Sequence, residues 1–207
     1  MRKHYACIIS FLISFIVFIP VANASGPPKV ILKFSPQHLI RNGLWISGEF
    51  FNSDFRISHQ LSLEGVYAEP YNRNGKEKMS GYTAEYMLRY FPNKMKRFVE
   101  PHEVTKGLYG AFFCQAGSYT QSETTTTTGS ITYKSEMKAV TFYPGFVLGF
   151  EQRIRDGLFI DIYAGAGMHK VSTDISTNRS TNPDTRYFGI FSGGVLPKVG
   201  LSIGIGL

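Results

Sequence analysis

Val199, Leu201, Ile203, Ile205 and Leu207 alternate strictly with Gly200, Ser202, Gly204 and Gly206. A two-residue period places successive side chains on opposite faces of a β-strand, and an α-helix cannot sustain it. The same period recurs along most of the chain. Leu44, Ile46, Gly48 and Phe50 share one face, and Trp45, Ser47 and Glu49 the other. Leu61, Leu63 and Tyr67 lie opposite Ser62 and Glu64, while Tyr82, Ala84, Tyr86, Leu88 and Tyr90 lie opposite Thr83, Glu85, Met87 and Arg89. Phe142, Phe146, Leu148 and Phe150 oppose Gly145, Gly149 and Glu151, and Leu158, Ile160, Ile162 and Ala164 oppose Phe159, Asp161 and Tyr163. With 108–119 and an opening strand in which Val30, Leu32 and Phe34 alternate with Ile31, Lys33 and Ser35, the pattern predicts about eight strands. Their length, roughly nine to twelve residues, is near what a tilted strand needs to cross a bilayer. Only 94–106 leaves room for a short helix, and Pro101 limits it.

The 21 Gly, 12 Tyr and 17 Phe suit a strongly curved sheet, since glycine inside a strand marks close backbone approach. Connections at 52–58 and 155–157 are short, whereas 71–80, 120–138 and 172–194 are longer and polar. Short turns at one end and long loops at the other are the pattern of a membrane barrel. Two connections break it, 36–42 being short for the loop end and 92–106 long for the turn end. The threonine run at 124–128 reads as a loop tip.

A basic start (Arg2, Lys3, His4), an apolar run from Ile8 to Ile19 and the tripeptide Ala22-Asn23-Ala24 read as a cleavable signal peptide over 1–24. Residues 25–207 then form one barrel domain. Only Cys114 remains in that domain, so no disulfide within it is expected and no zinc spacing occurs. The formal charge of +7 is spread along the chain without a basic stripe, which argues against nucleic acid as a partner.

Alternation leaves open which face is inside. In a soluble lipocalin-like binding barrel the apolar face points inward; in a small membrane barrel it meets lipid. The polar face here is too sparse for a solvent surface, and aromatics gather near strand ends as interface girdles would. The inverted reading puts Lys33, Glu49, Glu64, Glu85, Arg89, Glu151, Asp161 and Lys198 in the lumen. Side chains just fill an eight-stranded barrel, and buried charges must pair. These eight residues are therefore expected to form a salt-bridge network that plugs it.

An enzyme acting on lipid A is a further alternative, with His169 and Ser172 at a strand end as the pair to weigh. Their spacing is His-x-x-Ser, where barrel-type lipid A deacylases have His-x-Ser-Asn, and no acidic partner follows. Glu49, Glu64 and Glu85 sit mid-strand with cations available, which favours structural pairing over acid–base work. No phosphate loop or metal motif is present, so no cofactor or metal is expected.

Taken in order, Ile31-Leu32-Lys33-Phe34-Ser35-Pro36, Gly48-Glu49-Phe50, Glu85-Tyr86 with Arg89-Tyr90-Phe91, Lys106-Gly107-Leu108-Tyr109, Gly149-Phe150-Glu151, Asp161-Ile162-Tyr163-Ala164-Gly165-Ala166-Gly167 and Leu196-Pro197-Lys198-Val199-Gly200-Leu201-Ser202-Ile203-Gly204 resemble an uncharacterised family of small outer-membrane barrels, OmpA- and OmpX-like in architecture. The resemblance implies an eight-stranded antiparallel up-and-down transmembrane β-barrel in the outer membrane of a Gram-negative bacterium, and no activity. The expected role is non-enzymatic, structural or in surface interaction through outward loops. Expected partners are outer-membrane lipid, the barrel-insertion machinery during biogenesis and an extracellular or envelope partner at the loops, with the barrel a monomer.

Overall fold

The computed structural model describes residues 29–68, 71–72, 75–92, 107–127, 131–155, 157–177 and 193–207. The expected signal peptide over 1–24 and the short helix within 94–106 lie outside them. The strands among the described residues are β1 (Val30–Phe34), β2 (Gly43–Phe51), β3 (Ile57–Ala68), β4 (Tyr71–Asn72), β5 (Gly75–Tyr90), β6 (Leu108–Thr127), β7 (Ile131–Arg155), β8 (Leu158–Thr177) and β9 (Gly194–Gly206). β4 is a two-residue piece paired with the start of β5. The other eight pair antiparallel in chain order, and β1 closes on β9 with Lys33 opposite Gly204 and Phe34 opposite Ile203. The result is a closed, eight-stranded barrel with the strand number that the alternation predicts and the up-and-down order that the resemblance implies.

The direction of each face decides what the barrel is built to sit in. Phe146, Leu148 and Leu63 point outward at 69%, 74% and 61% exposure, and Leu44, Ile46, Tyr82, Tyr86, Leu88, Tyr90 and Ile162 join them outside. Lys33, Glu49, Glu85, Arg89, Glu151 and Asp161 point inward and are buried. An apolar outside around a charged inside is the inverse of a soluble barrel, so the lipocalin-like reading fails. In hydrocarbon the same arrangement is favourable, and closure pairs the backbone groups that lipid cannot satisfy.

Both ends of the described chain, the five-residue turn at 52–56 and the turn at Gly157 (φ +73°) lie at one end, called here the turn end. At the opposite, loop end the wall is uneven. β1 stops after five residues and passes into a 3-10 helix, Pro36–Arg41, which closes on Asn42 in the left-handed conformation (φ +55°). β6 and β8 run for 20 residues and β7 for 25, about twice the length a tilted strand needs to cross a bilayer.

Those long strands correct one expectation. The sequence reads the polar stretches 120–138 and 172–194 as connections, yet β6, β7 and β8 continue into them, with Thr120 opposite Lys138 and Ser122 opposite Glu136. Threonine is β-branched and favours a pleated strand. Beyond the bilayer the outer face no longer needs to be apolar, so the ladder goes on while Glu136 and Lys138 take the outside of β7 and Met137 and Ala139 the inside. Of the threonine run, 124–127 is strand and Thr128 lies outside the described residues.

Candidate functional site

The lumen is where the sequence concentrates its polar chemistry, and the barrel sorts that chemistry into levels. Next to the turn end, Ile31, Phe55 and Phe159 pack together with Phe51 against them. One level further in lie Lys33 (β1), Glu49 (β2), Arg89 (β5), Glu151 (β7) and Asp161 (β8). Lys33 Nζ lies 2.5 Å from Glu49 Oε2 and 2.9 Å from Asp161 Oδ2, and it also donates to Glu151. Arg89 Nη2 is 2.7 Å from Asp161 Oδ2, and Nη1 is 3.3 Å from Glu151 Oε2 and 3.6 Å from Glu49 Oε2. No side chain of the five is more than 1% exposed.

Each cation thus touches all three carboxylates, which is how charges persist where water is excluded. Tyr109 donates to Asp161 Oδ1 at 2.7 Å and lies under the Arg89 guanidinium, whose Cζ is 4.6 Å from the ring centre. Ser58 donates to Glu49. Acid–base catalysis by these carboxylates would require a substrate within hydrogen-bond reach, and their burial leaves none.

The remaining three expected residues do not join this cluster. Lys198 reaches across from β9 to donate to Glu85 Oε2 at 2.6 Å and Gln115 Oε1 at 3.0 Å. Its Nζ stands 4.5 Å from the Phe113 ring, 5.5 Å from Tyr143 and 5.8 Å from Trp45. Glu64 instead meets His38 of the 3-10 helix, Oε1 to Nδ1 2.6 Å, and the His38 ring stacks on Trp45 with 4.5 Å between centroids. The eight expected residues therefore divide into a dry cluster of five, a Glu85–Lys198 pair and a Glu64–His38 pair near the loop end.

Sequence reasoning missed Tyr109, Ser58 and His38. Tyr109 shares its parity with Gln115 on β6, and Ser58 shares its own with Ser62 and Glu64 on β3, so the alternation could have found both. His38 sits in a connection without a period and gave no signal.

Space for these side chains comes from glycine. Tyr109 is the cross-strand partner of Gly149, and Tyr163 of Gly200. In both pairs a Cβ on the glycine would run into the tyrosine ring. A ring laid over an inward-facing glycine fills a narrow lumen without forcing the wall apart.

His169 and Ser172 do not form a pair. Three residues apart on β8, they take opposite faces: His169 points inward, edge-on to Tyr143 with 5.4 Å between centroids, and Ser172 is exposed outside.

A major outer membrane protein from Thermus thermophilus has a solved structure that matches this one with a TM-score of 0.52 at 8% identity, over 86% of this chain and 98% of that one. The fold is an outer-membrane barrel fold. Acinetobacter baumannii CarO matches with a TM-score of 0.46 at 11% identity, over 89% of this chain and all of that one. The conclusion rests on the Thermus likeness together with the inverted faces, and at such identity it concerns fold alone. No protein-family model and no curated protein matches the sequence.

Proposed function

We propose that this chain is a non-enzymatic outer-membrane barrel whose lumen is plugged by its own side chains, with a structural or surface-interaction role carried by its loop end. The observation that supports this most directly is the dry cluster of Lys33, Glu49, Arg89, Glu151 and Asp161. It spans the lumen from β1, β2, β5, β7 and β8, and apolar side chains pack on the turn-end side of it. A path for solute would have to break several buried ion pairs at once. The turn end faces the periplasm on this reading and the long strands carry the loops outward, as in other barrels of the type. Outer-membrane lipid surrounds the barrel, the insertion machinery delivers it, and an extracellular or envelope partner meets the loops. No cofactor is required, and the barrel acts as a monomer.

Conductance in planar bilayers tests the plug. The purified, folded barrel should give no steady channel, and Arg89→Ala with Lys33→Ala should introduce one. A persistent ohmic channel from the unsubstituted barrel would refute the plugged lumen.

A further inference from the structure

The wall of this barrel is not equally secured all round. β1 pairs with β9 only from Ile31–Gly206 to Phe34–Ile203. Beyond that point β9 continues through Val195, paired to β8 on one side. On its other side, among the described residues, no strand pairs with it, and the 3-10 helix stands in the place of a longer β1. Pro197 lies in this stretch. The β8–β9 ladder passes through Ala166–Pro197 without a break, so the missing N–H belongs to the unpaired edge, where proline is tolerated. Proline on an edge also discourages another strand from adding there. Outward, Val195 and Val199 are 73% and 75% exposed to what would be lipid.

What holds this half-strand is inside. Lys198 crosses the lumen to Glu85, Gln115 and the Phe113, Tyr143 and Trp45 rings. Tyr143 donates its hydroxyl hydrogen to the Leu196 carbonyl at 2.8 Å. Ser202 meets Ser35 at 2.7 Å, at the level where β1 ends. The neighbouring seam is weakened too: the β7–β8 ladder lapses between Phe142–Lys170 and Gly145–Gly167, around Pro144.

We propose that residues 195–201 of β9 form a lateral gate in the barrel wall, hinged where β1 ends and latched from within by Lys198. Opening moves this half-strand away from the 3-10 helix and exposes the loop-end half of the lumen sideways to lipid acyl chains. The cluster around Lys33 and Arg89 stays shut beneath it. This goes beyond the plugged lumen and is independent of it, since the plug concerns passage along the barrel axis.

The chain's single tryptophan, Trp45, sits inside the lumen beside the latch and is 2% exposed. Its fluorescence is the reporter. In vesicles of phospholipid brominated on the acyl chains, Lys198→Met should raise quenching of Trp45 at least twofold over the unsubstituted barrel, with iodide quenching from the aqueous phase unchanged. Lys198→Arg keeps the cation and should quench as the unsubstituted barrel does. Tyr143→Phe removes only the bond to Leu196 and should give a smaller rise of the same kind, so it carries the test even where Lys198→Met does not fold. Unchanged lipid quenching in whichever of Lys198→Met and Tyr143→Phe folds, or a rise in iodide quenching with or without a rise in lipid quenching, would overturn the gate.

Discussion

The charges of the central cluster stabilise the barrel only as a set. Replacing Arg89 with methionine leaves Glu49, Glu151 and Asp161 facing Lys33 alone, in surroundings where the five side chains are at most 1% exposed. Breaking a buried ion pair from one side costs about 3–5 kcal/mol, so Arg89→Met should lower unfolding free energy by that order in urea titrations of the barrel folded into vesicles. Lys198→Met should cost less, because the Lys198 side chain is 10% exposed and loses fewer opposite charges. Glycines divide in the same way. Gly149→Ala and Gly200→Ala push a Cβ into Tyr109 and Tyr163, and overpacking of this kind costs about 1–3 kcal/mol. Gly65 faces outward with nothing within 4 Å of the added carbon, and Gly65→Ala should be close to neutral in the same titration. His169→Ala should leave lipid A unchanged by mass spectrometry, since His169 faces the lumen and Ser172 the exterior; a shifted lipid A profile would restore the enzyme reading.

Strands were legible wherever one face had to be apolar. Residues 44–50, 61–67, 82–90 and 199–207 alternate because lipid bounds one side and packed polar groups the other, and the structure follows that alternation residue by residue. Legibility ended where the constraint ended. The outward continuation of β6 is strand without an apolar face, so its Thr and Ser composition read as loop; that of β7 keeps apolar residues such as Met137 and Ala139 on the inner face, with Lys and Glu outside, the reverse of the pattern within the span. Removing 123–134 and rejoining the chain with a two-residue turn should therefore leave the barrel folded, with its mobility shift on boiling retained. Leu148→Arg, by contrast, puts a charge on the lipid face of β7 well within the span. A cost of about 2–4 kcal/mol is expected if that position lies at the bilayer midplane, read by the same vesicle titration. The division of the lumen charges was not legible either. Alternation assigns each of the eight residues to the inner face, but which of them meet depends on the stagger of the strands around the barrel, and a one-dimensional pattern carries no stagger. Glu64 illustrates this: it shares the inner face of β3 with Ser58, yet its partner is His38, brought over by a 3-10 helix with no periodic signal.

At the scale of the molecule, the inversion of faces governs the rest. A barrel with Phe146, Leu148 and Leu63 outside and Lys33, Arg89, Glu49 and Asp161 inside is stable in lipid, and in water it would leave a large apolar surface uncovered. The likeness to the Thermus outer membrane protein supports the same fold, and the plug and the lateral gate both presuppose a lipid-facing exterior. Fractionation of cells producing the chain, read on gels with and without boiling, measures that exterior most directly. The inverted barrel should be recovered with the outer membrane and run as a compact, faster-migrating band that shifts on heating. Recovery as free periplasmic or secreted protein, with no shift on boiling, would contradict it.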